Sequence, residues 1–352
     1  MILHVCTYDR FIPPFIRLVN EEFGKQNHQF WLSGKQKLKQ HPIEKADNVF
    51  IVHSTIAGQL YAYLKLLLLM HSGKKLILHG LFNPGVIVLL AFCPWLLNKC
   101  YWIMWGGDLY QYQNPRPHIK DKLIEGLRKF VIKRMGHLVT YIPGDTTLAR
   151  KWYGARGEYH ECLMYLSNLV NPEILKDAEV PDEPHSALNI LVGNSADPNN
   201  NHLESLEKLV PYREQNLRIY VPLSYGDRAN AEKVIEQGRA WFGDKFIPMT
   251  SPVPFNEYLE LLESMDIAMF NHKRQQAMGN TITLLGLGKT VYMRHDVTQW
   301  SFLMGVGLRL KSVSHFSLEL LPKAERTDNV ALVCSYFSRS RLVDQLSNLF
   351  RS

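Results

Sequence analysis

The 352-residue chain lacks several features that would assign a function quickly. No G-x-G-x-x-G and no G-x-x-x-x-G-K-[ST] spacing occurs, so a dinucleotide-binding Rossmann site and a P-loop ATPase have no support. No Asp-x-Asp pair is present to hold a divalent ion. The five cysteines, Cys6, Cys93, Cys100, Cys162 and Cys334, include no C-x-x-C and no metal spacing with histidine. Free thiols in a reducing compartment are the expectation. Long apolar runs are absent too. Leu64–Met70 is broken by Lys65 and Val86–Leu97 by Pro94, and both fall short of the ~20 residues that span a bilayer. The start, MILHVCTYDR, reads as a strand and carries no signal-peptide pattern. There is no internal repeat and no low-complexity tract. The cations are scattered and no RNA- or DNA-reading motif appears, so a nucleic-acid partner is not expected.

What remains is a globular chain, 46% hydrophobic with 16 Phe and 16 Tyr, and long enough for two domains. A net charge of +7 suits an anionic partner: nucleic acid, a phosphorylated small molecule or an anionic membrane.

Strand-like and helix-like stretches alternate. Met1–Cys6, Phe30–Leu32, Val49–His53, Lys75–His79, Cys100–Trp105 and His137–Tyr141 read as strands. Pro13–Glu22 reads as a helix and Tyr61–Met70 as a buried one. This is the pattern of a doubly wound parallel sheet. Three strands run into polar, Gly-containing turns: His79–Pro84, Trp105–Tyr110 and Pro143–Asp145. In an open parallel sheet the carboxyl ends of the strands line the ligand crevice, so His79, Asp108 and Asp145 are candidate catalytic residues. Simple chain punctuation, with Asp108 and Asp145 as helix N-caps, is the alternative. Ile119–Arg134 is amphipathic. Ile119, Leu123, Leu127, Phe130 and Val131 form one side, and Lys120, Lys122, Arg128, Lys129, Lys133 and Arg134 the other. It reads as a solvated surface helix or as one drawn to anionic lipid.

Asn171–Ala187 turns Pro-, Asp- and Glu-rich and is expected to link two domains, 1–180 and 181–330. A mostly helical segment at 331–352 could pack back on the first. In the second domain, Leu188–Val192 meets Gly193-Asn194-Ser195, whose N–H groups and short side chains suit a phosphate or sugar; an Asn-rich turn would look the same. Leu217–Val221 is another strand, and Asn256–Glu263 a helix. The strand Ile267–Phe270 runs through Lys273, Arg274, Gln275 and Gln276 to a helix opened by Gly279 and Asn280, and Thr290–Met293 follows. A cationic loop before a helix N-terminus can hold an anion, although an ordinary βαβ crossover would also fit.

Five segments, HGLFNP (His79–Pro84), WGGDLY (Trp105–Tyr110), VGNSADPNNNH (Val192–His202), VPLSYG (Val221–Gly226) and RQQAMGN (Arg274–Asn280), follow one another in an order that resembles the bacterial TDP-N-acetylfucosamine:lipid II N-acetylfucosaminyltransferases, also called 4-alpha-L-fucosyltransferases. The resemblance runs from about His79 to Trp300. It implies a GT-B glycosyltransferase with two Rossmann-like domains facing a cleft, peripheral on the cytoplasmic face of the inner membrane. The enzyme would move a 4-amino-4,6-dideoxy sugar from a TDP-sugar to an undecaprenyl-diphosphate-linked saccharide, for enterobacterial common antigen or an O-antigen. No cofactor and no metal are implied. Donor contacts would come from Gly193, Asn194, Ser195, Tyr225, Arg274, Gln275, Gln276, Gly279, Asn280 and Thr281. Acceptor and membrane contacts would come from Asn83, Trp105, Lys129, Lys133 and Arg134. Asp108 is the first candidate for the base an inverting transfer needs, with His79 and Asp145 behind it. A nucleotide-sugar epimerase on the same fold is the competing enzyme reading, and a basic nucleic-acid-binding protein a weaker one.

Overall fold

The computed structural model describes residues 1–34, 42–44, 46–53, 55–170, 175 and 180–351. The chain divides into two compact units, Met1–Ser167 with Arg339–Ser352, and Asn168–Ser338. The division falls at 167/168 and 338/339, against the expected 180/181 and 330/331. Most of the first half of the expected linker lies outside the described residues.

The first unit holds a seven-stranded parallel sheet. Its strands are β1 (Ile2–Thr7), β2 (His28–Ser33), β3 (Val49–Ile51), β4 (Lys75–His79), β5 (Cys100–Ile103), β6 (His137–Val139) and β7 (Glu158–His160), in the order β3-β2-β1-β4-β5-β6-β7. The order reverses between β1 and β4, the place where an open sheet opens a crevice. β1, β2, β4 and β5 are buried on both faces, which is why they read as near-continuous apolar runs. β5 and β6 stop two residues before the expected ends, although Met104 N and Thr140 N still donate to the next strand, to Val139 O (3.0 Å) and His160 O (3.2 Å). β7 escapes detection, since Glu-Tyr-His has no apolar signature.

The helix expected to be buried at Tyr61–Met70 runs from Ile56 to Ser72 and is only half buried. Ala62, Leu66 and Met70 face the core, while Ile56, Leu60, Tyr61, Leu64 and Leu68 are exposed. Ile56, Leu60, Leu64 and Leu68 lie at successive i, i+4 steps and therefore share one stripe. The apolar run from Val86 becomes the helix Pro84–Phe92 and a 3₁₀ turn, Pro94–Lys99, that leave Phe92 and Trp95 exposed.

The second unit holds a six-stranded parallel sheet: β8 (Leu188–Val192), β9 (Leu217–Pro222), β10 (Phe246–Met249), β11 (Ile267–Phe270), β12 (Thr290–Met293) and β13 (Lys311–Ser312). Its order, β10-β9-β8-β11-β12-β13, reverses between β8 and β11. The helix expected to open at Gly279 begins at Met278 and ends at Gly286, with Ala277 before it in the left-handed region at φ 56°. Both domains are thus doubly wound, and the first has an apolar core spread over β1, β2, β4 and β5.

Candidate functional site

In the second unit three loops leave the carboxyl ends of β8, β9 and β11, on either side of the reversal point. They carry Gly193–Asn201, Leu223–Asp227 and Asn271–Ala277. Asn194 ties all three together: its amide N–H₂ donates to the Tyr225 hydroxyl (3.2 Å), its carbonyl accepts from the Gln276 side chain (3.2 Å), and its backbone N–H donates to Asn200 (2.8 Å). Asn200 Oδ1 also pairs with His272 Nε2 at 2.8 Å. Gly193 is held at φ +70°, and a Cβ there would lie 2.5 Å from His202 Nε2. Only glycine therefore lets this turn pass so close to the histidine.

The polar content of this cluster is incomplete. His202 and Asn271 are buried, yet among the described residues both ring nitrogens of His202 and both amide atoms of Asn271 find no hydrogen-bond partner. Buried polar groups are normally paired, so such orphans mark a place where a ligand or water would complete the set. Burial, opposed by nearby Asp197, pushes His202 down to about 4. Burial, then the neighbouring His202 and Arg274, push His272 down to about 3. Both are neutral imidazoles at neutral pH.

Arg274 Nη2 donates to Asp197 Oδ2 at 2.7 Å. Burial would raise the Asp197 carboxyl, but hydrogen bonds from Asn199 and the Arg274 charge outweigh it and leave it below the usual range. Gln276 N–H donates to Gln299 (3.2 Å), whose amide reaches the Thr281 hydroxyl (3.4 Å). The structure thus brings Gly193, Asn194, Ser195, Tyr225, Arg274 and Gln276 into one neighbourhood with the start of the Met278–Gly286 helix. Gln275 offers its backbone carbonyl to Arg274 Nη1 (3.4 Å), Asn280 donates to the Tyr258 hydroxyl (2.8 Å), and Thr281 is buried. His202, His272, Asn271 and Gln299 escaped sequence reading. The Asn-rich run before His202 was the available signal.

The three catalytic candidates of the first unit are all buried. Asp108 is a hub: Oδ2 accepts from Trp102 Nε1 (2.6 Å) and Leu81 N (3.0 Å), and Oδ1 from Trp105 N (2.9 Å) and Leu109 N (3.0 Å). Burial raises its pKa while the Trp102, Trp105 and Leu81 bonds and Arg128 lower it. With both oxygens saturated, this carboxylate organises the HGLFNP and WGGDLY turns and offers nothing to solvent. His79 is likewise enclosed. Trp105 Nε1 donates to the Tyr165 hydroxyl (2.9 Å), which pairs with His79 Nδ1 (2.6 Å); His79 Nε2 pairs with His4 (3.1 Å) and His4 with His28 (3.0 Å). Since Trp105 can only donate, the Tyr165 proton points to His79, and each following histidine donates from Nε2 to the next Nδ1. Burial depresses His79 to about 3, so the chain is neutral throughout. Asp145 lies in the first turn of the helix Pro143–Tyr153. Asn83 caps the helix Pro84–Phe92, accepting from Gly85 N (2.9 Å) and Val86 N (3.3 Å). A small cavity beside β1 and β4 is lined by Cys6, Thr7, Ser33, Gly80 and Asn83.

On the helix Ile119–Arg134, Lys129, Lys133 and Arg134 are exposed as expected. Arg128 is not on the polar side: it is buried against Glu125 at 3.2 Å. The apolar side also divides, with Val131 buried and Ile119 and Leu123 exposed. This helix packs on Pro84–Phe92 and the 94–99 turn. Trp95 of that turn hydrogen-bonds His71 (3.2 Å), at the end of the helix bearing the exposed stripe. Among the described residues no helix is long and apolar enough to cross a membrane.

Comparison with solved structures finds the same architecture in glycosyltransferases of the GT-B class. Anabaena HepE, solved with UDP and glucose, is similar at a TM-score of 0.66 and 10% identity, covering 99% of each chain. Sucrose-phosphate synthase from Thermosynechococcus elongatus gives a TM-score of 0.64 at 11% identity, over 100% of this chain and 98% of that one. A glycosyltransferase from Rickettsia africae gives 0.62 at 11%, over 99% and 97%. At such identities the likeness establishes the fold alone. The family model for 4-alpha-L-fucosyltransferases matches residues 12–304, beginning well before the expected start at His79. That match decides between transferase and epimerase: the chain belongs to the 4-alpha-L-fucosyltransferase family, glycosyl transferase group 56, and is a glycosyltransferase.

Proposed function

We propose that the β8–β9–β11 loop cluster of the second unit holds the diphosphate of a TDP-sugar, and that the enzyme transfers a 4-amino-4,6-dideoxy sugar to a polyprenyl-diphosphate-linked saccharide. The observation that carries the first part is the buried, unpartnered pair His202 and Asn271 beside Gly193–Ser195, Arg274 and a helix start. Departure of a nucleoside diphosphate builds negative charge on the β-phosphate. A helix N-terminus, amides and one guanidinium stabilise that charge without an added metal ion. In this arrangement Arg274 is held in place by Asp197 before the donor arrives, which limits the ordering it must undergo.

The TDP moiety, the deoxy sugar and the lipid-linked acceptor rest on the family resemblance. A polyprenyl acceptor stays in the bilayer, so its enzyme works at the surface. The exposed stripe Ile56, Leu60, Leu64 and Leu68, with Phe92 and Trp95, supplies apolar contact, and Lys129, Lys133 and Arg134 supply attraction to anionic lipid. The inner leaflet facing the cytoplasm is the membrane we assign.

For an inverting transfer we assign the base role to Asp9 instead of the enclosed Asp108 and His79. Asp9 is half-buried, two residues beyond the carboxyl end of β1. The experiment is TDP release from a panel of TDP-sugars, with and without a lipid-linked acceptor, followed by mass spectrometry of the product. Release that requires the acceptor, with a deoxy-amino sugar found on it, supports the assignment. Preference for a UDP-sugar, or transfer to a soluble acceptor alone, overturns it.

A further inference from the structure

Across β6 and β7, the last two strands of the first sheet, three side chains converge on one face of the first unit. His137 and Glu158 are cross-strand partners, and His160 lies two residues beyond Glu158 on the same side. His137 Nδ1 and His160 Nε2 are 2.9 Å apart, and Glu158 Oε2 is 3.8 Å from the first and 3.9 Å from the second. Two ligands of a tetrahedral zinc ion, each about 2.0–2.1 Å from the metal, stand about 3.3–3.4 Å apart. The three observed separations bracket that spacing, so small side-chain rotations bring all three atoms to one centre.

We propose that His137, Glu158 and His160 form a three-ligand site for a divalent transition-metal ion, with Zn²⁺ the best fit, bridging the last two strands of the first sheet. Two imidazoles with one carboxylate suit zinc and its neighbours, whereas Mg²⁺ and Ca²⁺ prefer all-oxygen sets.

The rings are also oriented from behind. His137 stacks flat on Tyr101, with centroids 3.9 Å apart and planes 7° from parallel. Its ring has the Asn98 backbone as a further hydrogen-bond partner, the support that metal-bound histidines usually have. The Lys75 ammonium lies over the same Tyr101 ring, 5.1 Å from its centroid, and donates to the Leu349 carbonyl at 2.7 Å. Glu158 is exposed, so a fourth position is open to water. β7 is a three-residue edge strand paired only with β6, and an ion across the two would fasten it.

The test uses the full chain after dialysis against a chelator. Calorimetric titration with Zn²⁺, and visible absorption on adding Co²⁺, should both saturate at one ion per chain, and Zn²⁺ should raise the melting temperature. His160→Gln and His137→Gln should each weaken Zn²⁺ binding by more than about tenfold, and Glu158→Gln should weaken it while leaving the metal-free melting temperature unchanged. That last variant keeps the test sound if a histidine variant folds poorly. No saturable binding, or binding equally tight in the His137→Gln/His160→Gln double variant, would overturn the site and leave a hydrogen-bonded histidine pair. Neither outcome depends on the donor or acceptor of the transferase.

Discussion

Replacing Asp108 by asparagine separates a structural carboxylate from a chemical one. Each carboxylate oxygen accepts two N–H donors, from Leu81 and Trp102 on one side and from Trp105 and Leu109 on the other. An amide keeps one oxygen and turns an N–H₂ toward the other pair, so two buried donors lose their acceptor. Each costs about 1–3 kcal/mol, or roughly 2–6 kcal/mol together. Removing a buried charge that is already disfavoured by its surroundings offsets part of this, leaving about 2–4 kcal/mol. Urea unfolding followed through tryptophan emission reads the loss directly, because Trp102 and Trp105 flank the carboxylate. The thermal midpoint of the first unit should fall on the order of 10 °C. Asp9→Asn should instead lower turnover by far more than it lowers stability. An Asp108→Asn protein that melts like the parent and has lost turnover would restore Asp108 as the base and refute the hub.

Arg274→Ala should weaken TDP binding by about 1.5–3 kcal/mol, the range for hydrogen bonds to a charged group; unchanged affinity by calorimetry counts against the donor placement. Turnover should survive EDTA, and loss restored only by Mg²⁺ or Mn²⁺ would contradict charge stabilisation by the protein alone. Stability should fall on acidification: His79 and His272, both lowered to about 3, and His28 and His202, lowered to about 4, bind fewer protons folded than unfolded. Their contribution is complete above the unfolded pKa near 6.5 and is lost progressively below it, about 2 kcal/mol for His79 alone at pH 5. Equal urea midpoints at pH 7 and pH 5 would refute this. Sedimentation with anionic vesicles should fall with salt and with Lys129, Lys133 and Arg134 changed to Glu, and further with Leu64 and Leu68 changed to Ser; binding indifferent to all of these removes the surface assignment.

Much of the fold was legible because parallel strands buried on both faces write themselves as apolar runs: Met1–Cys6, Lys75–His79, Leu188–Val192 and Ile267–Phe270 each became a strand of nearly those bounds. Edge strands were not. Glu158–His160 and Lys311–Ser312 carry polar residues because water reaches them. Turn positions were legible from Gly, Asn and Pro, yet the roles of their side chains were not. Whether the Asp108 carboxylate faces water or four N–H donors depends on where Leu81, in the turn after β4, and the Trp102 indole on β5 arrive. His4 and His28 look like isolated core residues in sequence, and only the β2-β1-β4 order lines them up with His79.

The helix Ile56–Ser72 shows the same limit from the opposite direction. A run such as LKLLLLM predicts burial because apolar side chains leave water. Geometry allows only the Ala62, Leu66 and Met70 face to reach the core, so the remaining leucines stay exposed whatever their hydrophobicity. Four large apolar residues on one stripe expose more surface than scattered ones and invite a covering partner. On the proposed reading of a bilayer-held acceptor, lipid would cover this stripe, and Lys129, Lys133 and Arg134 would add attraction to anionic lipid without the length a spanning helix requires.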